Sequence, residues 1–442
     1  MMYPLACAAL VLVLAYVYVL FRWPFIGLVS LLAGEFIDFA FGLNNRLIGG
    51  IHLDPLDAIS ICLLFAGLFR SFQHIRRINV MTLLCLGYLL LFAMSFGRGI
   101  AANGFFAAAN ESRGFIGPLT AMLYFVTVPA DPRALRKYTL AYLYFGAALC
   151  IAAGLAAAGL PIGLNAMEQS DVLGLDGRYL AAGAAAAIAV CGFLSLAVFR
   201  HKSTGLVRPI IPIAFLCVAV YLRHRTVWMM LLVGALAFLP LDKKLFLRLL
   251  PAAALAALMV IGLATYGKSV NGLVSEEQFS TSATNFDTLS WRLNGWKDLL
   301  FDSEQTPLTV AVGKSMGGGY WRVDPVSYEI TSVAPHSEYV QEYLRVGLVG
   351  TLLIFCFLLR PLLRLWKLGR HFPFAAYPTT SAWTVITLIT LLYGVTYGIQ
   401  PHSYALIAIA NAFLSSLSAQ RVDAYQLAES QWQVTSIAGN AA

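Results

Sequence analysis

The chain has 442 residues, of which 59% are hydrophobic and only 12% charged, with a mean hydropathy of +0.74 and a net charge of +8. A soluble domain carries about 25% charged residues, and a larger core cannot absorb that deficit because the surface still needs polar cover. These values exclude an ordinary soluble enzyme, and the placement of the basic residues excludes nucleic acid as the partner they serve.

Apolar stretches long enough to cross a bilayer as helices recur from one end to the other. The predicted spans are 3–21, 24–42, 55–70, 79–96, 114–129, 138–160, 179–199, 208–222, 227–240, 247–266, 346–366, 377–397 and 403–419. The fold class is therefore an all-α polytopic membrane protein with about 12–13 transmembrane helices. The first stretch lacks a basic segment before it and is followed at once by a second span, so it reads as a span rather than a signal peptide. All seven cysteines fall inside these apolar stretches, without disulfide or zinc spacing. Four segments follow: helices over 1–266, a large loop over 267–345, helices over 346–419 and a tail over 420–442.

Basic clusters occupy alternate connections, at Arg70/Arg76/Arg77, Arg133/Arg136/Lys137, Arg200/Lys202/Arg208, Lys243/Lys244/Arg248 and Arg360/Arg364/Lys367/Arg370. The positive-inside rule assigns them to the cytoplasm, which puts the N-terminus outside and the C-terminus inside. Arg98, Arg113, Arg178, Arg223, Arg225, Arg292, Arg322 and Arg345 then stand on the outer side, where the rule disfavours them. Each alone can be an interfacial anchor; as a group they suit an anionic ligand at the outer membrane surface.

The loop over 267–345 is long for a connection, and loops of that length are functional or disordered. Its pattern is structured. Residues 286–301 (FDTLSWRLNGWKDLLF) have helical spacing with Asp287 or Ser290 as caps, Leu308–Val312 reads as extended, and Gly317-Gly318-Gly319 as a turn. From His336 the chain reads as a helix, HSEYVQEYLRVGLVG, running into the next span. Gly313-Lys314-Ser315 resembles the end of a phosphate-binding loop, but Leu308 stands where that motif needs glycine. No Asp-x-Asp pair is present, so a carboxylate–metal clamp on a diphosphate is not expected.

A histidine near neutral pKa, a carboxylate on the same short helix and arginines at a membrane edge form a candidate site. His336 is the histidine suited to proton transfer, with Glu338 on the same helix. Arg225, Arg223 and Arg292, with Arg113 and Arg98 flanking an outer loop, are the cations suited to an anionic ligand, since guanidinium forks hold oxyanions bidentately. Arg345, Tyr339, Trp296 and His402 (in a second Pro-His-Ser triplet) stand on the same outer side, as do the aromatics Trp291, Tyr320 and Trp321.

The stretch PHSEYVQEYLRVGLVG (335–350), with Ser290-Trp291-Arg292, Trp296, the glycines at 313 and 317–319, and RHRTVW (223–228), resembles the O-antigen ligase and polymerase superfamily over roughly residues 207–366. Ser337 departs from the asparagine that many members carry. The resemblance implies a membrane-embedded glycosyltransferase of the GT-C-like kind that needs no metal or other cofactor. It implies a glycan on undecaprenyl diphosphate as donor, an acceptor glycan and membrane lipids as partners, and a site facing the periplasm from a bacterial inner membrane. Under the same resemblance His336 is the expected base or the group that orients the acceptor hydroxyl, with Glu338 as orienting partner or alternate base. Arg225, Arg223 and Arg292, with Arg113 and Arg98, are then the candidates for the diphosphate, and Arg345, Tyr339, Trp296 and His402 for the acceptor or glycan. Trp291, Tyr320 and Trp321 would suit sugar faces. RHRTVW and the HSEY variant are closer to the exopolysaccharide and O-antigen polymerases, for which a chain-length-determining protein would be a further partner. A ligase acting on lipid A-core is the alternative within the family. A transporter or flippase is the alternative outside it, since Glu35 and Asp38 lie inside the second span. Against transport, the chain lacks broken helices in two matching halves.

Overall fold

The computed structural model describes residues 2–41, 47–48, 51–52, 54–73, 79–128, 132–164, 179–199, 207–241, 287–301, 305–323, 330–371 and 378–417. The expected span at 247–266, Arg178 and the tail over 420–442 lie outside the described residues.

The architecture is a helical membrane bundle. The helices are α1 (Met2–Arg22), α2 (Pro24–Phe41), α3 (Pro55–Gln73), α4 (Val80–Asn103), α5 (Phe105–Val126), α6 (Pro132–Ala157), α7 (Ala182–Phe199), α8 (Val207–Tyr221), α9 (Arg225–Leu241), α10 (Asp287–Leu300), α11 (Pro307–Val312), α12 (Glu338–His371), α13 (Pro378–Thr396) and α14 (Pro401–Leu417). Two antiparallel ribbons join them: β1 (Leu47–Ile48) with β2 (Ile51–His52), and β3 (Trp321–Val323) with β4 (Ile330–Ser332), where Arg322 pairs with Thr331. Among the described residues, five helices are long and apolar enough to cross a membrane.

Three helices form the interior. Nearly every residue of α14 from Pro401 to Leu414, of α5 from Phe115 to Val126 and of α7 from Ala184 to Leu194 is buried. A helix apolar on all sides belongs inside a bundle. Lipid gives helices no hydrophobic drive to associate, so close approach decides the packing. The alanines at 184–187 and 189 of α7 are all buried and permit that approach to α6, α8 and α13. Where α1 ends, its last carbonyls need partners. Arg70 of α3 supplies them, donating from Nη2 to Leu20 O at 2.7 Å and from Nε to Phe21 O at 3.1 Å.

The structure departs from the expected elements in three places. Residues 97–113, expected as an outer loop, are helical: α4 continues to Asn103, and a single residue, Gly104 with φ +85°, turns the chain into α5. Residues 308–312, expected to be extended, form α11 because Thr306 and Thr309 close a reciprocal capping box and Pro307 fits its first turn. The helix expected from His336 begins at Glu338 and is broken at Gly347, φ +69°.

The turns between α4 and α5, α8 and α9, and α13 and α14 gather at one end of the bundle, with the described residues of α10, α11 and the start of α12 packed on them. Ser95, Arg98 and Asn103 bind the backbone of residues 312–316, and the Tyr397 carbonyl accepts from the Glu338 amide.

Candidate functional site

Helix α10 lies against the start of α12 and turns successive residues onto it. Trp291 brings its ring centroid to 6.2 Å from that of His336. Arg292 donates from Nη1 to the Thr396 carbonyl at 3.1 Å and lies over the Tyr397 ring, 4.9 Å from its centre. One turn further, the Trp296 indole N–H donates to the Pro335 carbonyl. The peptide that leads into His336 is thus pinned from α10, and α10 itself is pinned to the end of α13.

His336 has φ +50°, and the only other non-glycine residue with positive φ among the described residues is Arg223, φ +58°. Such a conformation costs of order 1–3 kcal/mol and persists where surrounding contacts over-determine it. For His336 those contacts are visible. Beside the Trp296 bond, Ser337 Oγ reaches the Gly394 carbonyl at 3.5 Å and the Glu338 amide donates to Tyr397 O at 3.2 Å. The histidine is exposed on its open side. Partial burial, then the charges of Arg292 and Arg322, push its imidazole below the usual value of 6.5. It therefore stays an uncharged proton acceptor to lower pH than a free imidazole.

Glu338 turns the other way. It is buried, and both carboxylate oxygens are engaged: Oε1 accepts from the Tyr404 hydroxyl at 2.6 Å and Oε2 from the Ile399 amide at 2.8 Å. This carboxylate braces the α13–α14 turn beneath His336. One turn on, Glu342 accepts from the Tyr88 hydroxyl at 2.7 Å. Tyr339 donates to the Leu391 carbonyl at 2.7 Å and stacks on Phe355.

The expected arginines divide into two groups. Arg225 opens α9, and its neighbour Thr226 shares a 2.8 Å hydrogen bond with Thr396, whose carbonyl receives Arg292. The start of α9, Arg292 and the His336 segment therefore meet around the end of α13. Arg223 is buried in the same α8–α9 turn, beside His224, whose Nε2 lies 2.9 Å from the Leu180 carbonyl. Arg98 donates to the Val312 carbonyl at 2.9 Å, and Arg113 is bridged to Asp54 at 2.6 Å and Asp57 at 2.7 Å. Arg345, 2% exposed, binds Glu111 and the carbonyls of Ser315 and Gly319 and lies over Tyr320. These three brace the glycine turn and the helix ends.

His402, offered by the sequence as a glycan contact, is 1% exposed and does not join the cluster. Its Nδ1 and amide both bind Glu35, inside a cage of Phe39, Tyr142 and Phe145. The same pair engages Glu35, which sequence alone offered as half of a proton relay.

Sequence reading counted Arg322 among the outer arginines but gave it no individual role. In the structure Arg322 of β3 stacks its guanidinium 4.1 Å over Trp291 and adds its charge at His336. No motif marks it; the available signal was alternation in a short strand, which turns Arg322 inward when Trp321 faces out. Among the described residues no group of three or more His, Cys, Asp and Glu side chains is gathered as a metal site.

The cluster falls within one recognisable stretch: residues 210–355 match the family model described as O-antigen ligase. Over that stretch the chain is similar to the O-antigen ligase family. That match supports the O-antigen ligase and polymerase superfamily, a glycosyltransferase-like group whose substrates are lipid-linked glycans. Together with the apolar helices it indicates a bacterial membrane protein. No curated protein matches the chain. The matched stretch contains Arg223, Arg225, Arg292, Arg322 and His336; Glu35, Arg98, Arg113 and His402 fall outside it.

Proposed function

We propose that this chain is a polymerase that joins oligosaccharide repeat units carried on undecaprenyl diphosphate, at the outer face of the bacterial inner membrane. The observation that carries the reading is the meeting of His336, Arg292 and the Arg225 turn around the end of α13. The distribution of basic residues supports the orientation, because the gathered end holds the connections that the positive-inside rule assigns to the outside.

The chemistry follows from that geometry. The acceptor hydroxyl oxygen attacks the anomeric carbon of the donor sugar while its proton passes to the neutral imidazole of His336. The bond from that carbon to the diphosphate oxygen breaks, and its electron pair leaves with the lipid diphosphate. Attack opposite the leaving group inverts the anomeric centre. The charge that grows on the departing oxygen is met by Arg225 and Arg292, with Arg223 behind them. Electrostatic stabilisation by guanidiniums fills the role that a metal ion has in other glycosyl transfers. Trp291 and Trp296 border the imidazole and suit the apolar face of a sugar.

The matched description, O-antigen ligase, favours a second reading in which the acceptor is lipid A-core. Purified protein incubated with lipid-linked repeat units alone separates the two. A ladder of lipid-linked products is expected. No product until lipid A-core is added would establish the ligase.

A further inference from the structure

Three aromatic or planar groups stand in series at the site: the Arg322 guanidinium, the Trp291 indole and the His336 imidazole. The first two are 4.1 Å apart and the second two 6.2 Å between ring centres. Arg322 comes from a different element than the others and is 5% exposed, so it is held inside the hairpin rather than lying on the surface. Room for it is made by Gly295, one helical turn beyond Trp291. A Cβ at that position would sit 2.3 Å from Arg322 Nη1. The sequence of α10 therefore carries a tryptophan and a glycine on one face, spaced to seat a guanidinium.

We infer that Arg322 is a positioning residue for His336: it clamps the Trp291 indole beside the imidazole and faces that imidazole with a second guanidinium next to Arg292. The inference rests on His336 being the base of the proposed transfer. Two demands on such a base are met together. The ring has to be held against a substrate that arrives from the open side, and it has to remain unprotonated until the acceptor hydroxyl gives up its proton. The charged groups around it act consistently. Arg292 from α10 and Arg322 from β3 both oppose an imidazolium. From α12, the Glu338 carboxylate that would favour one is turned onto Ile399 and Tyr404. Just past the end of α13, Tyr397 presents its ring to Arg292. From α9, Thr226 ties the helix that Arg225 opens to Thr396. A lysine at 322 would keep charge but not the flat contact with the indole.

The test reads His336 directly as well as through turnover. Diethyl pyrocarbonate modifies neutral imidazoles, so its rate at the His336 peptide, followed by mass spectrometry on the full chain across pH, gives the protonation midpoint. The wild-type midpoint is expected below 6.5. Arg322→Gln should raise it by about one pH unit. The acidic limb of transfer should move with it, kcat should fall, and KM for the lipid-linked donor should stay within about twofold. Arg322→Lys should move the midpoint less than Arg322→Gln and still lower kcat. Gly295→Ala keeps the arginine in the sequence but displaces its guanidinium, and should shift the midpoint in the same direction as Arg322→Gln. A midpoint unmoved in both Arg322→Gln and Gly295→Ala overturns the inference. So does a raised KM with kcat preserved in Arg322→Gln, which would make Arg322 a direct phosphate contact. If His336→Ala keeps its transfer activity, the base reading fails while the midpoint measurement still reports on Arg322.

Discussion

Two groups of arginines occupy the same end of this bundle and do different things. Around the glycine turn, Arg98, Arg113 and Arg345 donate to backbone carbonyls or carboxylates of the protein itself. Around His336, Arg292 and Arg322 lie over the rings of Tyr397 and Trp291, and both charges are felt by the imidazole. A guanidinium bridged to a carboxylate, as in Arg113 and Arg345, is a brace whose field is largely cancelled. Arg292 and Arg322 are the two whose positive charge acts at the imidazole. The difference teaches that position on the outer side selects arginines for attention, but their partners decide which of them can serve an anion.

The largest effects should come from exchanging one residue of each group. His336→Ala is expected to lower glycosyl transfer by at least about a hundredfold while thermal unfolding in detergent is unchanged. Arg345→Ala is expected to do the reverse. It leaves Glu111 without its cation in a nearly closed site, which costs about 3–5 kcal/mol of stability and shows as a lower melting temperature or failed insertion. A stable, correctly inserted Arg345→Ala protein with no transfer would move Arg345 into the reacting site and erase the distinction. The same contrast has a pH signature. The proton acceptor is neutral His336, and its pKa is held below 6.5, so transfer should persist as pH falls through 6.5 and be lost only below it. An acidic limb centred above 6.5 would contradict the positive surroundings of the imidazole.

Much of this was legible in the sequence for physical reasons that differ from residue to residue. Hydropathy located the helices because lipid demands long apolar runs. The Pro-His-Ser stretch and RHRTVW drew attention to His336 and Arg225, whose segments the structure brings to the end of α13. The sequence did not reveal which arginines are closed off. Arg113 is neutralised by Asp54 and Asp57, more than fifty residues away in the chain, and Arg345 by Glu111, more than two hundred away. His402 and His336 share a Pro-His-Ser triplet, yet one faces Glu35 in the interior and the other an open side. Local pattern carries no information about such partners. The length of α4 and α5 was missed for another reason: residues 97–113 are too polar to read as a span, and are helical because they pack on α11 and the glycine turn.

Within the His336 group, Arg292→Lys should lower kcat/KM for the lipid-linked donor by about ten- to a hundredfold without loss of fold. The ammonium keeps the charge but loses both the flat contact with Tyr397 and the bidentate geometry for phosphate oxygens. A lysine variant with wild-type kinetics would mean that Arg292 acts only as a point charge.

The smallest effect belongs to Arg113→Gln. The guanidinium is 20% exposed against aspartates that are 6% and 15% exposed, so losing the bridge costs about 1–2 kcal/mol, between an exposed pair and a closed one. Asp54 and Asp57 also hold each other's backbone amides, which keeps the start of α3 capped when the arginine is gone. Melting should therefore fall by only a few degrees and transfer should stay within about twofold of wild type. This variant is the sharper test of the comparison because it changes an outer arginine with little structural consequence. If transfer is lost while melting is preserved, Arg113 reaches the diphosphate despite its carboxylates, and closure by protein partners is not what separates the two groups.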